Sequence, residues 1–167
     1  LNSRFTFETE VYNQLYNTTK KNVLNNNLYS GNSFRTFPII GLRVETPFKF
    51  KKNTFDLTYT PILSLILSPG KSNSEKISNE DSSLNTYSSK NEILLNRFTG
   101  NDKLDNSKRL VSSFSIDNDI FNSKLSQSYE FTNNSNFHKD TGNDDYLGDL
   151  LGEIRYDNKK NELEYNF

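Results

Sequence analysis

The stretch IIGLRVETPFKFKKNTFDLTYTPILSLIL, from Ile39 to Leu67, decides the reading of this chain, because it alternates apolar and polar residues twice across one short break. In the first run Ile40, Leu42, Val44, Phe48 and Phe50 share one face, with Arg43, Glu45 and Lys49 on the other. In the second, Phe55, Leu57, Tyr59, Pro61, Leu63, Leu65 and Leu67 face away from Asp56, Thr58, Thr60 and Ser64. A period of two is that of a β-strand wetted on one side. Both runs exceed the five or six residues typical of strands in soluble proteins.

The same alternation recurs on both sides. Phe5, Phe7 and Val11 oppose Arg4, Glu8 and Glu10; Leu110, Phe114 and Ile116 oppose Arg109, Ser113 and Ser115; Leu125, Tyr129 and Phe131 oppose Lys124, Ser126, Ser128 and Glu130. Ile154 and Tyr156 then oppose Glu153 and Arg155, and Leu163, Tyr165 and Phe167 oppose Glu162, Glu164 and Asn166. The pattern predicts about seven strands. Between them lie long loops at about 17–33, 69–106 and 133–146, and short turns at 51–53, 118–120 and 158–160. Long and short connections that alternate strictly are the mark of an antiparallel up-and-down meander in a transmembrane β-barrel, with short periplasmic turns and long outer loops. A soluble sandwich has no reason to sort its loops by end. Phe48, Phe50, Phe55 and Tyr59 flank one tight turn, where an aromatic girdle belongs.

Composition agrees with an all-β chain. Hydrophobic content is 32%, and the mean hydropathy is -0.80. Those values alone describe a disordered chain, but 13 Phe and 9 Tyr need burial or lipid. The 25 Asn and 20 Ser favour turns over helices. A net charge of -1 leaves no basic excess for a phosphate backbone, so nucleic acid is not an expected partner. With no cysteine there is no disulfide or thiolate metal site. No apolar run reaches the ~20 residues of a spanning helix. The start on Leu1 and the absence of Met suggest a fragment of a longer protein.

On the barrel reading the apolar face meets lipid and the charged face lines the interior. The expected inward residues are Arg43, Glu45, Lys124, Ser126, Ser128, Glu130, Glu153 and Arg155, a wall of mixed sign. Ile39, Ile62 and Ile66 also point inward, as if part of the wall packs against something filling the interior. Pro47 and Pro61 lie within strand runs and cannot donate a ladder hydrogen bond, which predicts bulges or strand ends there.

The longest connection carries the most specific wording: Asn79, Glu80, Asp81 and Ser82, then Leu94 and Leu95, then Asn96, Arg97, Phe98, Gly100 and Asp102, with Arg109 opening the next strand. A structureless loop of this length is unusual unless it is functional or folds inward. We read Phe98 as its apolar anchor, Gly100 as a turn residue and Arg97 as a charge-pairing clamp; contact of Arg97 or Lys103 with lipid phosphates is a further expectation. This order of motifs, with LRVETPFKF and PILSLILSPG before it and LSQSYEF and DDYLGDLLGEIRY after it, resembles the LptD family of outer-membrane LPS-assembly proteins from about Phe37 to Phe167.

That resemblance implies a partial barrel domain over 1–167, without the family's N-terminal jelly-roll domain. It implies assembly of lipopolysaccharide into the outer leaflet at the cell outer membrane, no enzyme activity, no cofactor and no metal. The partners it implies are LPS, outer-membrane lipid, an LptE-like plug lipoprotein, and an LptA-like periplasmic bridge acting through the jelly-roll domain. A porin or other transport barrel, and a soluble adhesion module, are the alternative readings of the pattern. His138, with Ser135, Asp140 and Asp144, offers a remote hydrolase constellation. Glu80 with Asp81 lacks the spaced oxygens of a calcium loop. The closing LEYNF has the aromatic alternation of a barrel's terminal strand.

Overall fold

The computed structural model describes residues 2–167 except 24–26, 53–54, 72, 83–87, 134–136, 138–144 and 159. His138, Ser135, Asp140 and Asp144, and most of the 133–146 connection, lie outside the described residues. Among the described residues the chain is all strand and loop. It forms β1 (Arg4–Val23), β2 (Asn27–Glu45), β3 (Phe48–Lys52), β4 (Phe55–Leu67), β5 (Lys108–Asp117), β6 (Phe121–Glu130), β7 (Leu151–Asp157) and β8 (Glu162–Asn166).

These strands make one open antiparallel sheet in which every strand pairs with its sequence neighbour, apart from the relation of β2 and β3 to β4. β2 and β3 pair in succession with β4, Glu45 opposite Ile62 and Phe48 opposite Tyr59. They are one lane of the sheet broken at Pro47, which has no N–H for the ladder. Seven expected strands are therefore seven lanes in eight segments. Pro61 sits inside β4 opposite Phe114, and β4 continues through it.

One expected loop is absent. The 17–33 stretch, outside 24–26, is ladder, with Asn17 opposite Asn32 and Thr18 opposite Gly31. Asparagine disfavours strands because its amide competes for nearby backbone groups, but here Asn17 Nδ2 donates to Asn32 Oδ1 at 2.8 Å across the pair. A register shift between Thr18 and Lys21 lets the hairpin bend, with Lys20 at φ 53°.

The register assigns the faces. Phe5, Phe7, Val11, Leu15, Phe34, Ile40, Leu42 and Leu63 lie on one face and are exposed. On the other, Phe37, Ile39, Ile66 and Val111 form a buried cluster with Leu95 and Leu104 of the β4–β5 connection. The expected inward placement of Ile39 and Ile66 is thus met by this loop, which supplies the filling. Backbone bonds close its base, from Ser68 N to Ser107 O at 2.9 Å.

Candidate functional site: an inward-folded loop and its buried charges

The β4–β5 connection folds onto the polar face because four kinds of contact favour it. The first is a fit of shape. Gly41 lies on that face of β2, and a Cβ there would stand 2.5 Å from Leu95 Cδ2, so the glycine leaves the socket into which Leu95 packs. The neighbouring Leu94 points away and is exposed.

The second is a pair of interlocked turns. Asn79 Nδ2 donates to Ser82 O at 2.7 Å, and Asn79 Oδ1 accepts from Ser82 N at 3.0 Å. Asp81 then accepts from the backbone N–H groups of Asn101 (2.9 Å) and Asp102 (2.8 Å), while Asp102 Oδ2 accepts from Glu80 N (2.8 Å) and Asp81 N (3.2 Å). Each aspartate caps the other's turn. These bonds from Asn101 and Asp102, with that from the Ser82 hydroxyl, hold the Asp81 carboxyl below its ordinary value. Gly100 is required at φ 78°, and a side chain there would meet Asp81 O at 2.5 Å. The carboxylate oxygens of Asp81 are thereby engaged with N–H and O–H donors, and no group of three potential metal-ligating side chains forms among the described residues.

The third is a buried ionic cluster. Arg97 Nε donates to Asp105 Oδ2 at 2.6 Å, its Nη2 to Glu130 Oε1 at 2.6 Å, and its Nη1 to Glu92 Oε1 at 3.3 Å. Arg109 Nη1 donates to Asp105 Oδ2 at 2.9 Å, and its other nitrogens reach the carbonyls of Glu92 and Leu94. Ser107 Oγ donates to Glu130 at 2.9 Å. All five charged residues are 2% exposed or less. Burial works against the Arg97 charge, but Asp105, Glu92 and Glu130 outweigh it and hold the guanidinium well above its ordinary value. No buried side-chain polar atom of the five lacks a partner, which is the condition under which a buried ion network is tolerated.

The fourth is aromatic. Phe98 stacks on Phe137 with centroids 5.3 Å apart, Arg97 Cζ lies 4.8 Å from the Phe137 ring, and Lys103 Nζ lies 4.7 Å from that of Phe98. Phe98 is buried, and Arg97 is internal. The expectation that Arg97 meets lipid phosphate is corrected here, because its donors are spent on the buried carboxylates of Glu92 and Asp105 in the loop and Glu130 at the end of β6.

The loop also leans on the long β1–β2 hairpin. Arg35 donates to Asn73 Oδ1 (3.0 Å), Asp102 O (2.9 Å) and Asn101 O (2.7 Å), and Thr18 Oγ1 donates to Lys76 O at 2.9 Å. Asn96 Oδ1 accepts from the N–H groups of Phe98 and Asp105, tying the ends of the arginine turn together. Every residue of the loop motif is therefore held in one folded unit, with Arg109 reaching into it from β5.

The eight expected inward residues share the face that carries this loop, and the loop divides them. Ser126, Ser128 and Glu130 are buried beneath it, Ser126 Oγ donating to Ser89 O at 3.4 Å. Arg43, Glu45, Lys124, Glu153 and Arg155 stand on the remaining part. Arg43 pairs with Glu8 at 2.5 Å and Glu45 at 3.6 Å; Glu153 pairs with Lys90 at 2.6 Å, and Arg155 with Glu162 at 3.0 Å. Sequence reading missed Glu92, Asp105 and Gly41. The first two had a signal, since Glu92, Arg97, Asp105 and Arg109 alternate in sign through a segment rich in Asn and Ser. Gly41 had none, because its partner Leu95 is remote in sequence.

No curated protein matches this chain. The family model described as LptD, LPS transport system D, matches residues 2–161. With nearly its whole length matched and an open, all-β, up-and-down sheet to match it, the chain belongs to the LptD family of outer-membrane lipopolysaccharide-transport proteins.

Proposed function

We propose that this chain is a wall of the outer-membrane β-barrel that assembles lipopolysaccharide into the outer leaflet. The observation that carries the reading is the division of one continuous sheet into an exposed apolar face and a polar face onto which a long loop folds. The apolar band supports a membrane setting. From Phe5 to Leu15 it spans ten residue steps, about 34 Å along the strand and about 24 Å along the normal at a ~45° tilt, close to the ~25 Å band of outer-membrane barrels. Phe48, Tyr59 and Phe114 sit together at the tight-turn end, with centroids 6.2 and 6.0 Å apart, as a girdle on the periplasmic side.

In this reading the tight turns face the periplasm and the β4–β5 loop closes the outer part of the lumen. The polar wall below it guides the saccharide and phosphate groups of the lipid. An LptE-like lipoprotein occupies the lumen beside that loop, and an LptA-like bridge delivers lipid through a jelly-roll domain of the same protein. Transport proceeds without covalent chemistry.

The test uses the full-length protein in its Gram-negative host, with a photo-crosslinking residue at Asn122 or Phe121. These neighbours lie on opposite faces near the tight turns. Ser128 is unsuitable as the inward position because the loop buries it. LPS adducts from Asn122, with only phospholipid adducts from Phe121, are expected. LPS adducts from Phe121 alone would reverse the faces, and none from either would leave a porin-like barrel as the better reading.

A further inference from the structure

Below the folded loop, toward the tight turns, the polar face carries an open cleft of about 340 Å³ whose lining includes Ile62, Lys90, Ser115, Asn122, Lys124 and Glu153. Its charges are unequally satisfied. Glu153 is held by Lys90 at 2.6 Å, and Asp117, at the rim, accepts from Ser115 Oγ at 2.8 Å. Arg155, also in the lining, is paired with Glu162 at 3.0 Å, and elsewhere on this face Arg43, Arg97 and Arg109 are each paired with carboxylates. Lys124 is half-buried and stands opposite Glu153 in the register, but that carboxylate is held by Lys90, and no hydrogen bond or close salt bridge fixes the Lys124 ammonium among the described residues.

An ammonium group withdrawn from water without a fixed partner is costly unless an anion completes it. Around Lys124 the cleft offers the cations Lys90 and Arg155 and the neutral donor Asn122, beside the engaged carboxylates of Glu153 and Asp117, a donor set that can meet the three acceptor oxygens of a phosphate monoester. Ile62 supplies an apolar side against which a sugar ring can lie. The cleft has a single such apolar contact among its lining residues, so it suits a headgroup and not acyl chains.

We infer that the Lys124 cleft is a phosphate-binding station for the phosphorylated saccharide headgroup of the transported glycolipid, with Lys124 as the primary ligand and Lys90 as the second. The inference rests on the transport reading above and deepens it. Binding draws Lys90 partly from Glu153 toward the phosphate, so the station holds its ligand by exchange of one ion pair for another and releases it without leaving Glu153 unpaired.

Two measurements test it. In cells, the LPS adduct from a photo-crosslinker at Asn122 is measured in wild-type, Lys124→Gln and Lys124→Arg backgrounds, with heat-modifiable migration confirming that each variant is assembled. The expected result is a roughly tenfold or greater loss of adduct in Lys124→Gln and recovery in Lys124→Arg. If the wild-type protein gives an adduct that Lys124→Gln leaves unchanged, the station is overturned and the transport reading survives. If the wild-type protein gives none, the transport reading itself fails. With purified full-length protein in detergent, phosphatase-treated LPS is expected to bind wild type as weakly as intact LPS binds Lys124→Gln. Displacement of intact LPS by inorganic phosphate supports a site that reads phosphate. Equal displacement by phosphatidylglycerol assigns the station to phospholipid and overturns the glycolipid assignment.

Discussion

Arg97 shows what a single residue contributes to this wall. It donates to Asp105, Glu92 and Glu130 while 2% exposed, so its removal leaves three buried carboxylates with Arg109 as the one remaining cation of the cluster. Breaking a buried pair by deleting one partner costs roughly 3–5 kcal/mol, and we expect Arg97→Ala to lose about that much in docking of the loop. Trypsin cleavage at Lys103 in the detergent-solubilised full-length protein should rise sharply. Arg97→Lys should recover only part of the protection, because a compact ammonium cannot span three carboxylates as the guanidinium fork does. Wild-type resistance in Arg97→Ala would show that the hydrophobic nest of Leu95 and Leu104 holds the loop alone. Glycine acts at the same scale in the opposite way, since Gly41 contributes by the volume it leaves for Leu95.

At the scale of the element, the β4–β5 connection owes its fold to two closures that do not resemble secondary structure. One is the buried ion cluster; the other is the exchange of caps between Asp81 and Asp102. The second is pH-dependent with a definite sign. Asp81 titrates below its ordinary value of 3.8 when the loop is folded. Its contribution is therefore fully present above that value and is lost as pH falls through the lower, folded value. Hydrogen exchange at the amides of Asn101 and Asp102 should show an acid-induced loss of protection in that window. Asp81→Asn should lack the step and show reduced protection already at neutral pH. An unchanged acid step in that variant would assign the titration to another carboxylate. The β1–β2 hairpin illustrates the converse case. Its 17–33 stretch has loop-like wording, yet cross-strand amide bonds and the docked loop draw its described residues into the ladder.

For the whole molecule, the decisive property is that its most apolar surface is outside. Phe5, Phe7, Val11, Leu15 and Phe34 are each more than half exposed, while the buried set includes Glu92, Arg97, Asp105, Arg109 and Glu130. A water-soluble domain reverses that arrangement. Among the described residues the sheet also ends on the edge strands β1 and β8, each a template for further pairing. We expect this 167-residue chain alone to sediment as aggregate in buffer and to show β circular dichroism as a dispersed species only in detergent or lipid. A monodisperse folded monomer in plain buffer would contradict the lipid-facing assignment of the apolar band.

The sequence by itself determined the strand lanes, their two faces and the place of the unusual 69–106 loop, but not the 17–33 hairpin, whose Asn-rich wording reads as loop and whose described residues are ladder. The lanes, faces and loop position are local properties, because alternation with period two, proline positions and turn composition are written within a few residues of where they act. Only the tertiary structure decided that the loop folds onto the polar face, that Gly41 receives Leu95, and that Glu130 of β6 completes the cluster of Glu92, Arg97, Asp105 and Arg109. Those outcomes depend on which groups meet across tens of residues and on what burial does to their charges. The same limit applies to Lys124: its alternation placed it on the polar face, while only the tertiary structure showed that the facing Glu153 is held by Lys90 and Asp117 by Ser115.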